Sequence, residues 1–144
     1  MIAGAEAVRY EKSCGAVVFT RVGGQVKFAL VQQLHGFYSF PKGHTEAGES
    51  EQETALREIF EEIHIAPTLI DGFRTVDEHL IPNKPGVMKQ IVYFLAEYAD
   101  QEIIFQKEEI LSAPLVSYEG AMELFEYESS KRILREAYEF IKTL

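Results

Sequence analysis

The sequence predicts an α/β fold: a mixed β-sheet between helical layers, an α/β/α sandwich. Three observations carry this expectation. Two β-rich runs, 13–22 (SCGAVVFTRV) and 26–33 (VKFALVQQ), flank Gly23-Gly24-Gln25, a hairpin signature. A capping box, Ser50-x-x-Glu53, opens a segment with helical apolar spacing. Strand-like and helix-like stretches then alternate to the C-terminus, an order that builds a layered sheet rather than a bundle or a β-sandwich.

After the hairpin, residues 34–49 contain Gly36, Pro41, Gly43 and Gly48 and are expected to form a long irregular loop. The helix that follows places Ala55, Leu56, Ile59, Phe60 and Ile63 on an apolar face and ends near Ile63. His64 then occupies the left-handed C-terminal position where glycine is usual, a region histidine tolerates better than most residues. The other reading of His64, as a substrate contact, is weaker because it lies at the far end of the helix.

Residues 68–80 and 87–98 read as two further strands joined by Ile81-Pro82-Asn83-Lys84-Pro85-Gly86, with Val87, Ile91, Val92, Phe94 and Leu95 marking the second as a core strand. Short extended pieces are expected at 102–105 and 114–116. Ser117 is a cap for a short helix over 118–126. Ser129 or Ser130 is a cap for a last helix whose apolar stripe is Ile133, Leu134, Ala137, Phe140, Ile141 and Leu144.

With 144 residues, the expected organisation is a single domain over 1–144. An apolar fraction of 47%, with ten Phe and seven Tyr, argues against disorder. A single cysteine, Cys14, excludes an internal disulfide and suits a reducing compartment. The N-terminal MIAGAEAVRYEKSCGAVVF lacks a basic start followed by an apolar stretch, and no apolar run reaches the length of a membrane span. A soluble, cytoplasmic protein is expected. The net charge of −9 argues against a nucleic-acid-binding surface, but not against a phosphorylated small molecule, because cations invert the field of an acidic site.

The chemistry concentrates in GHTEAGESEQETALREIFEEIHI, residues 43–65. Glu58, Glu61 and Glu62 are three and four positions apart and share one side of the helix. Such a patch repels itself unless a cation sits on it, and oxygen donors suit hard divalent ions, Mg2+ or Mn2+. Taken alone, the cluster is otherwise a solvated helix face, and Arg57 with Glu49 an ordinary surface pair.

The spacing Gly43-x5-Glu49-x7-Arg57-Glu58-Ile59-Phe60-Glu61-Glu62-Ile63-His64-Ile65 resembles the box of the Nudix family, G-x5-E-x7-R-E-U-x-E-E-x-G-U, where U is a bulky aliphatic residue. Only the last glycine differs, replaced by His64. The resemblance implies the Nudix α/β/α sandwich, a loop–helix–loop catalytic motif, and divalent-metal hydrolysis of nucleoside diphosphates linked to another moiety. It implies Glu58, Glu61 and Glu62 as metal carboxylates, a backbone carbonyl of Lys42 or Gly43 as a further ligand, and Arg57 as the orienting partner of Glu49. Which glutamate acts as base stays open.

A carboxylate from outside the box is expected at Glu109, with Glu108 one position away; Glu109-x5-Leu115-Val116 resembles the family's E-x5-W-[VL], with Leu115 in place of Trp. Phe40-Pro41-Lys42-Gly43-His44 and the segment PNKPGVMKQIVYFLAEY resemble the diadenosine tetraphosphate hydrolase branch. That likeness implies Lys42, His44, Lys84 and Lys89 as phosphate contacts and Tyr93 beside a base, with His79 or Tyr118 as further candidates. His44 is also placed among the catalytic residues. The expected activity is asymmetrical cleavage of diadenosine tetraphosphate to ATP and AMP. The alternatives are a Nudix pyrophosphatase for another nucleoside di- or triphosphate derivative and, less favoured because every box glutamate is present, a nucleotide-sensing module. A small-molecule nucleotide partner is expected, with no nucleic acid or membrane partner, on a monomer or homodimer.

Overall fold

The computed structural model describes residues 8–144; the N-terminal reading lies, for residues 1–7, outside the described residues. The chain runs β1 (Arg9–Val22), β2 (Gln25–Ala29), β3 (Val31–Gln33), β4 (Tyr38–Ser39), β5 (Lys42–His44), α1 (Glu51–Ile63), β6 (Thr68–Leu69), β7 (Thr75–Leu80), β8 (Val87–Glu97), β9 (Ile110–Ser112), β10 (Leu115–Val116), α2 (Tyr118–Leu124) and α3 (Glu128–Ile141).

The long strand β1 organises the sheet. It pairs antiparallel with β2 through the Gly23-Gly24 turn, antiparallel with β5, and parallel with β8 along eleven positions from Arg9↔Val87 to Phe19↔Glu97. The main order is β10-β2-β1-β8-β6, with β7 also on β8, so the sheet is mixed. A smaller sheet, β4-β3-β9, adjoins it.

Alternation along β1 divides the core into two layers. Cys14, Ala16 and Val18 pack with Ala55, Ile59 and Ile63 of α1. Val17 and Phe19 face the opposite way and pack with Ala121 of α2 and Ile133, Leu134, Ala137 and Ile141 of α3. Helices therefore cover both faces, and the sandwich expected from the sequence is the observed architecture.

Several boundaries differ. The strand expected over 26–33 divides at Leu30, whose N–H bonds to Pro114 O, so β2 and β3 enter different sheets. The expected loop 34–49 contains β4 and β5. The strand expected over 68–80 breaks at a turn around Gly72, and its halves pair with opposite ends of β8. Residues 102–105 form no strand; their backbone follows the end of α1, with Ile104 N–H on Ile63 O. The nearby strand is β9. Helix α2 stops at Leu124.

On α1, Leu56 and Phe60 are exposed and Thr54 is buried in their stead, because the buried stripe is narrower than the apolar one. Helix α3 begins at Glu128 with Tyr127 as its N-cap and no side-chain cap, so Ser129 and Ser130 lie inside the first turn. Leu144 falls beyond the helix and is exposed.

Candidate active site

The site is built where α1 leaves the loop that follows β5. Ser50 Oγ accepts from Glu53 N (3.1 Å) and Glu53 Oε1 accepts from Ser50 N (2.8 Å), closing the expected capping box. At the other end His64 adopts φ 60°, ψ 32°, the left-handed cap, with its N–H on Phe60 O. Both ends of the helix are thus fixed by local chemistry.

Arg57 is the hub of the loop–helix junction. Its Nε and Nη2 grip both carboxylate oxygens of Glu49, at 2.5 and 2.9 Å, and Nη2 also donates to His44 O at 2.9 Å. Its Nη1 donates to Glu58 Oε1 at 2.7 Å and to Glu61 at 3.2 Å. Glu49 additionally accepts from Glu46 N and Thr54 Oγ1. The Arg57 hydrogen bond holds the Glu49 carboxyl far below its ordinary value, at about 2, while its carboxylate partners keep Arg57 firmly charged.

Glu58 and Glu62 are covered more deeply. Glu58 lies directly against the β5 backbone: a Cβ on Gly43 would stand 1.9 Å from Glu58 Oε2, so only glycine leaves room for this approach. Burial raises the Glu58 carboxyl, the Arg57 hydrogen bond opposes that, and the charges of Glu61 and Glu109 add to it. Glu62 Oε1 accepts from Lys42 N at 3.0 Å. Burial is the largest cause pushing Glu62 up to about 7, partly offset by Lys42 and reinforced by Glu58 and Glu109. Glu61 remains exposed.

Glu109 lies in the turn before β9, with its charge acting on both Glu58 and Glu62. A backbone bond from Gln106 N to Glu62 O pins this turn to the end of α1, and Glu109 N–H bonds to Gln106 O. Among the described residues, no three carboxylate, imidazole or thiol groups stand together as a ready-made cage for a cation. Arg57 holds Glu58 and Glu61, and Glu62 turns to the Lys42 amide. The donors themselves are all hard oxygens, with a backbone that Gly43 lets approach, and by chemistry they fit Mg2+ or Mn2+.

Beside this junction opens a cleft of about 670 Å³. Lys42 and Lys89 line it, as do Tyr93 and His79. Lys89 Nζ donates to Ser13 Oγ at 2.9 Å, and burial and the neighbouring Lys42 charge lower its pKa. His44 sits at the end of β5, exposed; the Lys89 charge, followed by burial, lowers its pKa. Lys84 pairs with Glu11 at 2.6 Å and lies outside the cleft lining.

Tyr93 is 4% exposed, meets Phe40 edge-on at 5.3 Å, and forms part of the cleft floor. Tyr118 stacks on Tyr138 at 4.3 Å and does not line the cleft. Sequence reasoning missed two exposed aromatics there, Phe37 and Tyr127, whose rings meet edge-on at 5.4 Å. The available signal was an exposed-type loop carrying His35, Phe37 and Tyr38 just before Phe40-Pro41-Lys42.

This fold, a carboxylate-bearing helix gripped by one arginine beside a nucleotide-sized cleft, is that of a hydrolase with a loop–helix–loop site. The NUDIX domain pattern matches residues 10–137, and the chain belongs to the Nudix hydrolase family. It is 31% identical over 142 residues to the asymmetrical bis(5'-nucleosyl)-tetraphosphatase of Sus scrofa, covering 90% of this chain and 95% of that protein. The corresponding Caenorhabditis elegans protein is 26% identical over 132 residues, covering 90% and 96%. A crystal structure of a C. elegans Ap4A hydrolase binary complex superposes with a TM-score of 0.85 at 24% identity, covering 93% of this chain and 99% of that one, which establishes the shared fold.

Proposed function

We propose that this chain is a divalent-metal-dependent hydrolase of dinucleoside polyphosphates that cleaves diadenosine tetraphosphate asymmetrically, giving ATP and AMP. The observation that carries the reading is the position of Lys42, which joins the two halves of the site: its amide binds Glu62, and the residue lines the cleft. A polyphosphate lying along the cleft thereby reaches the glutamates without leaving the lysines. Similarity to asymmetrical tetraphosphatases across nearly the whole length supports the substrate class.

Glu58, Glu61 and Glu62, with Glu109 and the Gly43 backbone, would hold Mg2+ or Mn2+. Such a cation supplies charge neutralisation and Lewis acidity to an otherwise resistant polyanion. Arg57 fixes Glu49 and aims Glu58. A box carboxylate accepts the proton of the attacking water. Lys42 and Lys89, with His44 in their field, neutralise non-bridging phosphate oxygens, while Lys84, paired with Glu11 outside the cleft lining, contributes little to phosphate binding. Tyr93 and the neighbouring aromatics pack against a base.

The whole chain works as one domain on a small molecule, in the cytoplasm; among the described residues no helix is long and apolar enough to cross a membrane. Product analysis after incubation with Mg2+ and diadenosine tetraphosphate tests the proposal. ATP plus AMP supports it. Two ADP overturns the asymmetrical mechanism, and absence of cleavage overturns the substrate.

A further inference from the structure

The cleft carries a carboxylate that hydrolysis does not use. The β7–β8 register sets Thr75 opposite Tyr93, Asp77 opposite Ile91 and His79 opposite Lys89. Directly opposed residues of an antiparallel pair share a face, so Asp77 stands in the row that includes Tyr93 and Lys89, and it lines the cleft with them. Its charge acts on the Tyr93 hydroxyl, consistent with the two being neighbours.

Asp77 is half-buried, and the groups around it are engaged elsewhere. Glu78 accepts from Gln90 Nε2 at 2.7 Å. Thr75 Oγ1 donates to Glu136 at 2.8 Å, and Arg132 binds Glu136 and Val76 O at 2.6 and 2.9 Å. These last bonds tie β7 to α3 and fix the strand that presents Asp77. Among the described residues no side chain donates a hydrogen bond to the Asp77 carboxylate and no cation pairs with it.

A free carboxylate inside a polyanion's cleft opposes binding wherever it meets phosphate. It contributes favourably against the uncharged donors of a nucleotide, the ribose hydroxyls and the base edge, and of these only the base edge differs from one nucleotide to another. The lysines Lys42 and Lys89 supply the phosphate end, and Phe37 and Tyr127 supply aromatic surface for a ring in the same cleft.

We infer that Asp77 is a specificity-determining residue that accepts hydrogen bonds from the Watson–Crick edge of a guanine base; the inference rests on the cleft being the nucleotide site proposed above. Guanine offers two parallel donors there, N1–H and N2–H, which match the two oxygens of one carboxylate. Adenine and cytosine each set one amino donor beside a ring acceptor that faces the second oxygen. Uracil sets one N–H between two carbonyls. The chemistry therefore ranks guanine first and uracil last.

The test is calorimetric titration of the wild type, Asp77→Asn and Asp77→Ala with GTP, ATP and UTP in EDTA, which separates binding from turnover. The wild type is expected to bind GTP about tenfold tighter than ATP, with UTP weakest. Asp77→Asn puts a donor against a guanine donor and sets its amide against the adenine N6–H and N1 pair, so it is expected to lose the GTP advantage and to bind ATP more tightly than the wild type; Asp77→Ala is expected to lose the GTP advantage without that gain. Absence of a GTP preference in the wild type, equal changes for all three nucleotides in the variants, or no binding of any of them overturns the assignment. Hydrolysis of diadenosine and diguanosine tetraphosphates with Mg2+, assayed in parallel, separates the two readings. Asp77-dependent GTP preference without cleavage overturns the hydrolase reading alone; cleavage without that preference overturns the Asp77 assignment alone.

Discussion

The amide of Lys42 donates to Glu62 Oε1 at 3.0 Å, linking a cleft-lining residue of β5 to the last glutamate of the α1 cluster. The carboxylate is held by backbone, so its place does not depend on a flexible partner. Glu62→Gln keeps the shape and removes the charge. Its turnover is expected to fall roughly 100-fold or more, with the circular dichroism spectrum unchanged. Wild-type turnover in this variant would refute the role proposed for Glu62.

The same residue sets a pH dependence for the metal-free protein. Burial raises Glu62 from 4.5 to about 7, so between those values the folded state binds more protons than the unfolded one. The Glu62 contribution to stability is therefore full below 4.5 and is lost as pH rises through 7, by about 3 kcal/mol. Glu49 acts in the opposite sense: its depressed value contributes stability above 4.5 that is lost as pH falls toward 2. Urea unfolding in EDTA is expected to find the wild type weaker at pH 8 than at pH 5, with Glu62→Gln abolishing most of the difference. Added Mg2+ is expected to restore stability at pH 8.

Gly43→Ala tests the contact between β5 and Glu58. The new methyl would stand 1.9 Å from Glu58 Oε2, so either the strand or the carboxylate moves. Overpacking of this kind costs about 1–3 kcal/mol. Thermal unfolding is expected to register that loss, and turnover to fall with it; an unchanged melting temperature would mean that the loop relaxes freely.

How this junction is legible from sequence follows from its locality. The capping box, the Glu49–Arg57 grip and the His64 cap all form within α1 and its flanks, and they stand where residue spacing places them. Phe37 and Tyr127 escaped notice because distant segments, 34–39 and the start of α3, create their setting, and Asp77 because the sequence does not show which face of the β7–β8 hairpin opens on the cleft. The break at Gly72 was hidden for a related reason, since both halves of 68–80 have strand character and β8 is long enough to pair with each. The start of α3 differs because serines stand at 129 and 130, while the chain caps two to three residues earlier on Tyr127 without a side-chain bond.

Arg57→Lys separates geometry from charge. Lysine keeps the cation but cannot span both oxygens of Glu49 while also reaching His44 O and Glu58. The loop–helix junction is expected to lose about 1–2 kcal/mol, and turnover about tenfold, with the KM for substrate little changed because Arg57 does not line the cleft. A large KM effect would instead place the guanidinium on the substrate.

Two of the lysines expected from the sequence to meet phosphate differ in setting, and that difference is measurable. Lys89 lines the cleft, half-buried, with its ammonium on Ser13 Oγ and its pKa lowered by burial and by Lys42. It is poised to gain from an anion, because phosphate would relieve both the burial and the like charge. Lys84 already holds Glu11 at 2.6 Å, is exposed, and stands outside the lining. Lys89→Ala is expected to raise the KM for diadenosine tetraphosphate about tenfold, with kcat less affected. Lys84→Ala is expected to stay within about twofold of wild type, since an exposed ion pair contributes little. If Lys84→Ala gives the larger KM effect, the polyphosphate runs toward the 81–86 loop rather than along the cleft floor, and the path proposed through Lys42 and Lys89 is wrong.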